Sequence, residues 1–118
     1  MKNQNEPRNI SARDLSQWLQ ASSNLPTLVD VREENELMIA SFKRKIVHLP
    51  LSKINFWQSD IQSILPIERP VVVICHAGIR SFSFGLWLVE QGYGHDVWNL
   101  EGGIDSWSIQ IDPSIARY

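Results

Sequence analysis

The chain reads as a single α/β domain built on a central, mostly parallel sheet. Strand-like and helix-like segments alternate along most of its length, the pattern of a sheet connected through helices. The clearest strand segment, residues 71–75 (Val-Val-Val-Ile-Cys), is an unbroken apolar run that suits a parallel strand covered on both faces. With 118 residues, 43% of them hydrophobic and 20% charged, the chain can bury one core unaided and has the composition of a folded domain.

In chain order, residues 1–9 read as a flexible polar tail and residues 10–108 as the domain. Ser11 is a good N-cap, with Asp14 as a weaker capping-box acid, and Leu15, Trp18 and Leu19 follow at helical spacing to about Ala21. Residues 22–26 form a turn, and 27–31 a strand with no polar residue in its core-facing run until Asp30. Residues 32–39 suit a short helix, with Arg32 and Glu36 in reach of each other as a structural ion pair. Residues 46–49 suit a short strand stopped by Pro50. From Ser52, the residues Ile54, Trp57, Ile61, Ile64 and Leu65 mark one face of a helix ended by Pro66. Pro70 introduces the strand 71–75. Residues 81–91 form an apolar helix with Gly92 as its C′ glycine. Residues 97–100 are the last strand. Gly102 and Gly103 turn the chain into a short helix carrying Ile104 and Trp107, and residues 109–118 form a C-terminal tail.

Charge and motif content exclude several function classes. A net charge of −2 provides no basic field for nucleic acid or anionic lipid. No apolar run approaches the ~20 residues of a membrane span, and the start, MKNQNEPRN, has no apolar signal-peptide core. The single cysteine cannot form an internal disulfide, which fits a reducing compartment; a cytoplasmic location is the expectation. One Cys and no spaced His pair give a metal site little support, and no cofactor is expected.

Cys75 stands where an apolar strand meets the sequence His76-Ala77-Gly78-Ile79-Arg80-Ser81. On residue type alone it is a small buried hydrophobe. The sequel offers a second reading. A free thiol has a pKa of roughly 8.5, leaving about a tenth as thiolate in the mid-7 range. A helix N-terminus carries unpartnered N–H groups that favour an anion on sulfur. Gly78 would let the backbone curl into an anion-binding nest, Arg80 would supply positive charge or tie the loop down, and Ser81 could cap the following helix. Ligands in such folds bind at strand carboxyl ends, where Asp30 and Cys75 both stand. Spacing alone leaves both readings open.

The stretch ICHAGIRS, preceded by LVDVREENE and followed by LEGGIDSW, resembles the single-domain rhodaneses, a family of sulfurtransferases. The resemblance covers roughly residues 10–108. It implies a three-layer α/β/α fold with a five-stranded sheet, and a six-residue loop, Cys75 to Arg80, that cradles a persulfide on Cys75. In the reaction implied, Cys75 takes a sulfane sulfur from a donor such as thiosulfate and passes it to cyanide, a thiol or an acceptor protein, by two-step covalent catalysis. The N–H groups from His76 to Ser81 would hold the persulfide. Asp30 would play a supporting role by accepting hydrogen bonds that order the loop's N–H groups, and Arg32 would support the site beside it. His76 would either assist electrostatically or point to solvent, and Trp107 reads first as a core residue, with a pocket wall beside the glycine turn as the alternative.

Where many members carry Gly-His-Ile-x-Gly-Ala before the third strand, this chain has Ala40-Ser41-Phe42-Lys43-Arg44-Lys45-Ile46. The basic run Lys43-Arg44-Lys45 reads as a solvated turn, with a partner surface as the alternative. Two rival functions remain. A cysteine phosphatase needs five residues between Cys and Arg, and only four separate Cys75 from Arg80. A rhodanese-like binding or regulatory module would work through partner contacts with little catalysis.

Overall fold

A computed structural model describes residues 4–21 and 23–118; residues 1–3 of the expected tail and Ser22 of the expected turn lie outside them. Five strands, β1 (Arg8–Ile10), β2 (Thr27–Asp30), β3 (Val47–His48), β4 (Val71–Ile74) and β5 (Val97–Leu100), form one sheet in the order β1-β5-β4-β2-β3. Every pairing is parallel. The helices are α1 (Ala12–Leu19), α2 (Glu34–Ile39), α3 (Ile54–Trp57), α4 (Ile61–Ile64), α5 (Ile79–Glu90) and α6 (Gly103–Gln110). No helix among the described residues is long and apolar enough to cross a membrane.

Side-chain alternation sorts the core into two layers. On β4, Val72 and Ile74 face one side and join Leu15, Leu19, Ile104 and Trp107 of α1 and α6. Val71, Val73 and Cys75 face the other and join Trp57, Ile61, Phe84 and Leu88 of α3, α4 and α5. This period of two turns Cys75 toward α5, where its chemistry depends on that helix's first turn.

Several expectations need correction. Residues 8 and 9, expected in the tail, belong to β1, which pairs with β5 from Arg8 opposite Trp98 to Ile10 opposite Leu100. Ahead of it, the Gln4 amide donates to the Val97 carbonyl (2.7 Å) and accepts from its N–H (3.1 Å), imitating one more strand residue. The helix expected over residues 52–65 is broken into α3 and α4 by 3₁₀ turns at Leu51–Lys53 and Gln58–Asp60. Ser59 and Asp60, both weak helix formers, stand mid-segment, and the Trp57 indole N–H donates to the Pro50 carbonyl (3.0 Å). The basic residues Lys43, Arg44 and Lys45 are exposed, as both the solvated-turn and the partner-surface readings expect, and the Lys43 ammonium donates to Ser114 Oγ.

The C-terminal segment is packed rather than loose. Helix α6 runs to Gln110, Ile115 is buried in the core, and the Ser108 hydroxyl donates to the Ile115 carbonyl (2.6 Å). Arg117 then pairs with Asp105 (2.8 Å), bringing Tyr118 to the carboxyl ends of the strands.

Candidate active site

Strand β4 ends one residue before Cys75, and the chain turns at Gly78 (φ +98°) directly into α5. The helix begins two residues earlier than its apolar pattern suggests. Gly78 is therefore its N-cap, and Ser81 lies inside the first turn instead of capping it. Cys75 is 1% exposed. Its Sγ receives the Gly78 N–H (3.1 Å), and Ser81 Oγ lies 3.2 Å away. Sulfur thus sits at the head of a twelve-residue helix, where the helix's free N–H groups and dipole favour negative charge.

Ser81 has a second neighbour. Its hydroxyl donates to Asn99 Oδ1, while Asn99 Nδ2 donates to the Gly78 carbonyl (3.2 Å) and to Asn9 Oδ1 (3.1 Å). A carbonyl can only accept, so Gly78 fixes which way the Asn99 amide faces. Ser81 has one proton for two acceptors. With a thiol, it serves Asn99 and can accept from S–H. With an anionic sulfur, it can rotate and donate to Sγ. Sequence reasoning missed Asn99, although the signal was present: it is the single polar residue of β5 and shares its parity with Val97, whose side chain joins the α5-side core.

The loop is clamped from outside. The N–H groups of Ile104 and Asp105 in α6 donate to the carbonyls of Cys75 (2.8 Å) and His76 (3.1 Å). Gly103 makes this approach possible: a Cβ there would lie 2.5 Å from the Cys75 oxygen and 2.4 Å from that of His76. Trp107 takes the core reading rather than the pocket-wall one: it is buried, its ring tilted against that of Phe42 with centroids 4.7 Å apart.

Arg80 reaches away from sulfur to form a two-pronged pair with Glu36 (2.7 and 2.8 Å). Glu36 also accepts the Glu33 N–H (2.9 Å) and the Tyr118 hydroxyl (2.9 Å). The Arg80 guanidinium pulls the Glu36 carboxyl down to about 2, against the opposing effect of burial. Glu36 in turn raises Arg80. The expected Arg32–Glu36 pair is therefore corrected. Arg32 is fully buried and folds back onto Asp30, whose carboxylate takes the Arg32 Nη2 (2.8 Å), Nε (3.1 and 3.2 Å) and backbone N–H (3.0 Å). Burial pulls Arg32 down, but its bonds to Asp30 and Tyr118 outweigh that and its pKa is raised. What Arg32 gives Glu36 is only a long bond to its backbone carbonyl (3.4 Å).

The structure therefore gathers Cys75, Gly78 and Ser81 around the sulfur. His76 lies at the rim, its ring stacked on Tyr118, and Ala77 and Ile79 are exposed on the outer loop. Asp30 and Arg32 stand at the neighbouring strand end and have no bond to sulfur. Among the described residues there is no group of three His, Cys, Asp or Glu side chains placed to hold a metal ion.

Comparison with known proteins matches this architecture. The rhodanese-like domain model aligns with residues 11–110. A sulfurtransferase of Allochromatium vinosum is 35% identical over 107 residues, covering 91% of this chain and 94% of that protein. The Rhodanese-like/PpiC domain-containing protein 12, chloroplastic, of Arabidopsis thaliana is 43% identical over 91 residues, 77% of this chain. This chain spans only 30% of that relative's length. The crystal structure of a rhodanese-related protein from Thermoplasma volcanium superimposes with a TM-score of 0.71 at 30% identity, covering 94% of this chain and 99% of that one. A strand-end cysteine held by the head of α5, in a five-stranded parallel sheet and matched over nearly its whole length, makes this chain a member of the rhodanese-like family.

Proposed function

We propose that this protein is a sulfurtransferase that carries sulfur as a persulfide on Cys75, with thiosulfate or a comparable sulfane compound as donor. The observation that supports this most is the setting of Sγ: one backbone N–H and one hydroxyl point at it from the first turn of α5. In the first half-reaction the Cys75 thiolate attacks the outer sulfur of thiosulfate. The new S–S bond forms as the old one breaks, and sulfite leaves with the bonding pair. In the second, cyanide or a thiol attacks the terminal sulfur of Cys75–S–S⁻ and the thiolate returns.

Each step moves negative charge between two adjacent sulfur positions, so a cradle of fixed donors serves both. Ser81 supplies a donor that can follow that charge, and Asn99 Oδ1 accepts the hydroxyl's hydrogen bond when sulfur does not need it. Arg80 holds the end of the loop through Glu36 while its charge remains within electrostatic reach of Cys75. With four residues between Cys75 and Arg80, the cradle suits one sulfur atom better than a tetrahedral phosphate.

The test is steady-state transfer from thiosulfate to cyanide with both varied. The proposal expects parallel double-reciprocal lines and no thiocyanate from Cys75→Ser. Intersecting lines, or a Cys75→Ser variant as active as the parent, would overturn it. A folded protein inactive with every sulfane donor would instead favour a binding module.

A further inference from the structure

Tyr118 belongs to none of the motifs that carry the family resemblance, yet it touches the start of the active-site loop at His76 and reaches its end, Arg80, through Glu36. Its ring lies flat against the His76 imidazole, centroids 4.1 Å apart and planes 13° from parallel. Its hydroxyl accepts from Arg32 Nη1 (3.0 Å) and donates to Glu36 Oε1 (2.9 Å). Glu36 is the carboxylate that grips Arg80. His76 and Arg80 are the first residue after the cysteine and the last of the loop, so Tyr118 stands across the rim from one to the other. Burial raises its hydroxyl pKa further above the ordinary value of 10.0, so it remains a neutral donor at neutral pH.

The segment that delivers it is anchored three times: by Ile115 in the core, by Arg117 on Asp105, and by the hydroxyl on Arg32 and Glu36. The anchor is itself firm, because Arg32 is fully buried against Asp30. A flat ring held at both its edge and its face is a wall of fixed position. Its ring face is already occupied by His76.

We propose that Tyr118 is a specificity-determining residue: its ring walls the His76 side of the approach to Cys75 and restricts the site to small sulfur donors and acceptors. This rests on the sulfur-transfer reading for the identity of the substrates, but the wall itself is a statement about access to one thiol. Thiosulfate and cyanide pass beside the ring, whereas a tripeptide thiol such as glutathione meets it.

The experiment measures Cys75 alkylation by iodoacetamide and by fluorescein maleimide in the full chain, in the parent, Tyr118→Phe and Tyr118→Ala. Iodoacetamide reports the thiol and the bulky maleimide reports the opening. Tyr118→Ala is expected to raise the maleimide rate relative to the iodoacetamide rate about tenfold. Tyr118→Phe keeps the ring and should stay within about threefold of the parent. Equal acceleration by both reagents, or an unchanged ratio in Tyr118→Ala, would overturn the wall. The same variants are then assayed with cyanide and with glutathione as acceptors, where Tyr118→Ala should shift kcat/KM toward glutathione by a similar factor. A changed alkylation ratio in a protein that transfers no sulfur would leave the wall standing and remove the sulfur-transfer reading. Active transfer with an unchanged alkylation ratio would do the reverse.

Discussion

The neighbouring strands β2 and β4 end side by side, Asp30 opposite Ile74 in register, and deliver two buried polar groups to the same edge of the sheet. Their treatment differs. At the end of β2, Asp30 is closed by Arg32, which satisfies the carboxylate through both its side chain and its backbone N–H. At the end of β4, Cys75 has donors aimed at it but no counter-ion of its own, since Arg80 is committed to Glu36. A buried charge whose partner is two residues away fixes structure. A sulfur surrounded by donors, one of them able to turn away, is left free to change its bonding.

The sharpest way to break this contrast is to exchange the consequences of losing each group. Asp30→Ala strands the buried Arg32 charge and should destabilise the fold by about 3–5 kcal/mol, read by denaturant unfolding. Cys75→Ser replaces sulfur with a smaller polar atom and should change stability by no more than about 1–2 kcal/mol while abolishing transfer. A tolerated Asp30→Ala beside an unfolded Cys75→Ser would reverse the assignment.

Gly103→Ala tests the clamp behind the sulfur. The added methyl would collide with the Cys75 and His76 carbonyls, in a backbone conformation of φ +62° that already disfavours a side chain. A loss of about 2–3 kcal/mol is expected, with a fall in transfer beyond what the unfolded fraction explains. A stable variant transferring at the parent rate would show that the clamp does not position the loop.

Acid sharpens the role of Glu36. Its folded value of about 2 lies below the ordinary 4.5, so its contribution is fully present above about pH 5 and is lost as pH falls toward 2. The Arg80 side chain is 37% exposed, and solvent screening reduces that contribution to about 1–2 kcal/mol. Unfolding free energy should therefore fall less steeply between pH 5 and 2 in Glu36→Gln than in the parent. Identical slopes would mean that the pair does not stabilise the fold.

Ser81→Ala has the smallest expected effect. It removes one donor to sulfur and should slow persulfide formation about tenfold, the worth of one hydrogen bond. An unchanged rate would assign Ser81 to Asn99 alone.

Much of this was legible in the sequence where a signal was local. The strand at 97–100 lies where the sequence reading places it, and the residues that meet at sulfur come from one continuous stretch, 75–81. What escaped depends on distant partners. Strand β1 is three residues long without an apolar run, and its place is decided by pairing with β5, some 90 residues on. Helical spacing put Arg32 beside Glu36, but the carboxylate two residues earlier captures Arg32 once both are buried, and Glu36 is freed for Arg80. Nothing in the sequence of residues 109–118 places Tyr118 on His76. That contact exists because Ile115 finds the core and Arg117 finds Asp105.

The central claim is that Cys75 is built to hold an extra sulfur atom, and intact mass measures it directly. The reduced protein is incubated with thiosulfate and weighed, with Cys75→Ser alongside. A gain of one sulfur atom in the parent alone, removed by cyanide or a thiol, is the predicted result. No gain in a folded parent, or the same gain in Cys75→Ser, would contradict it.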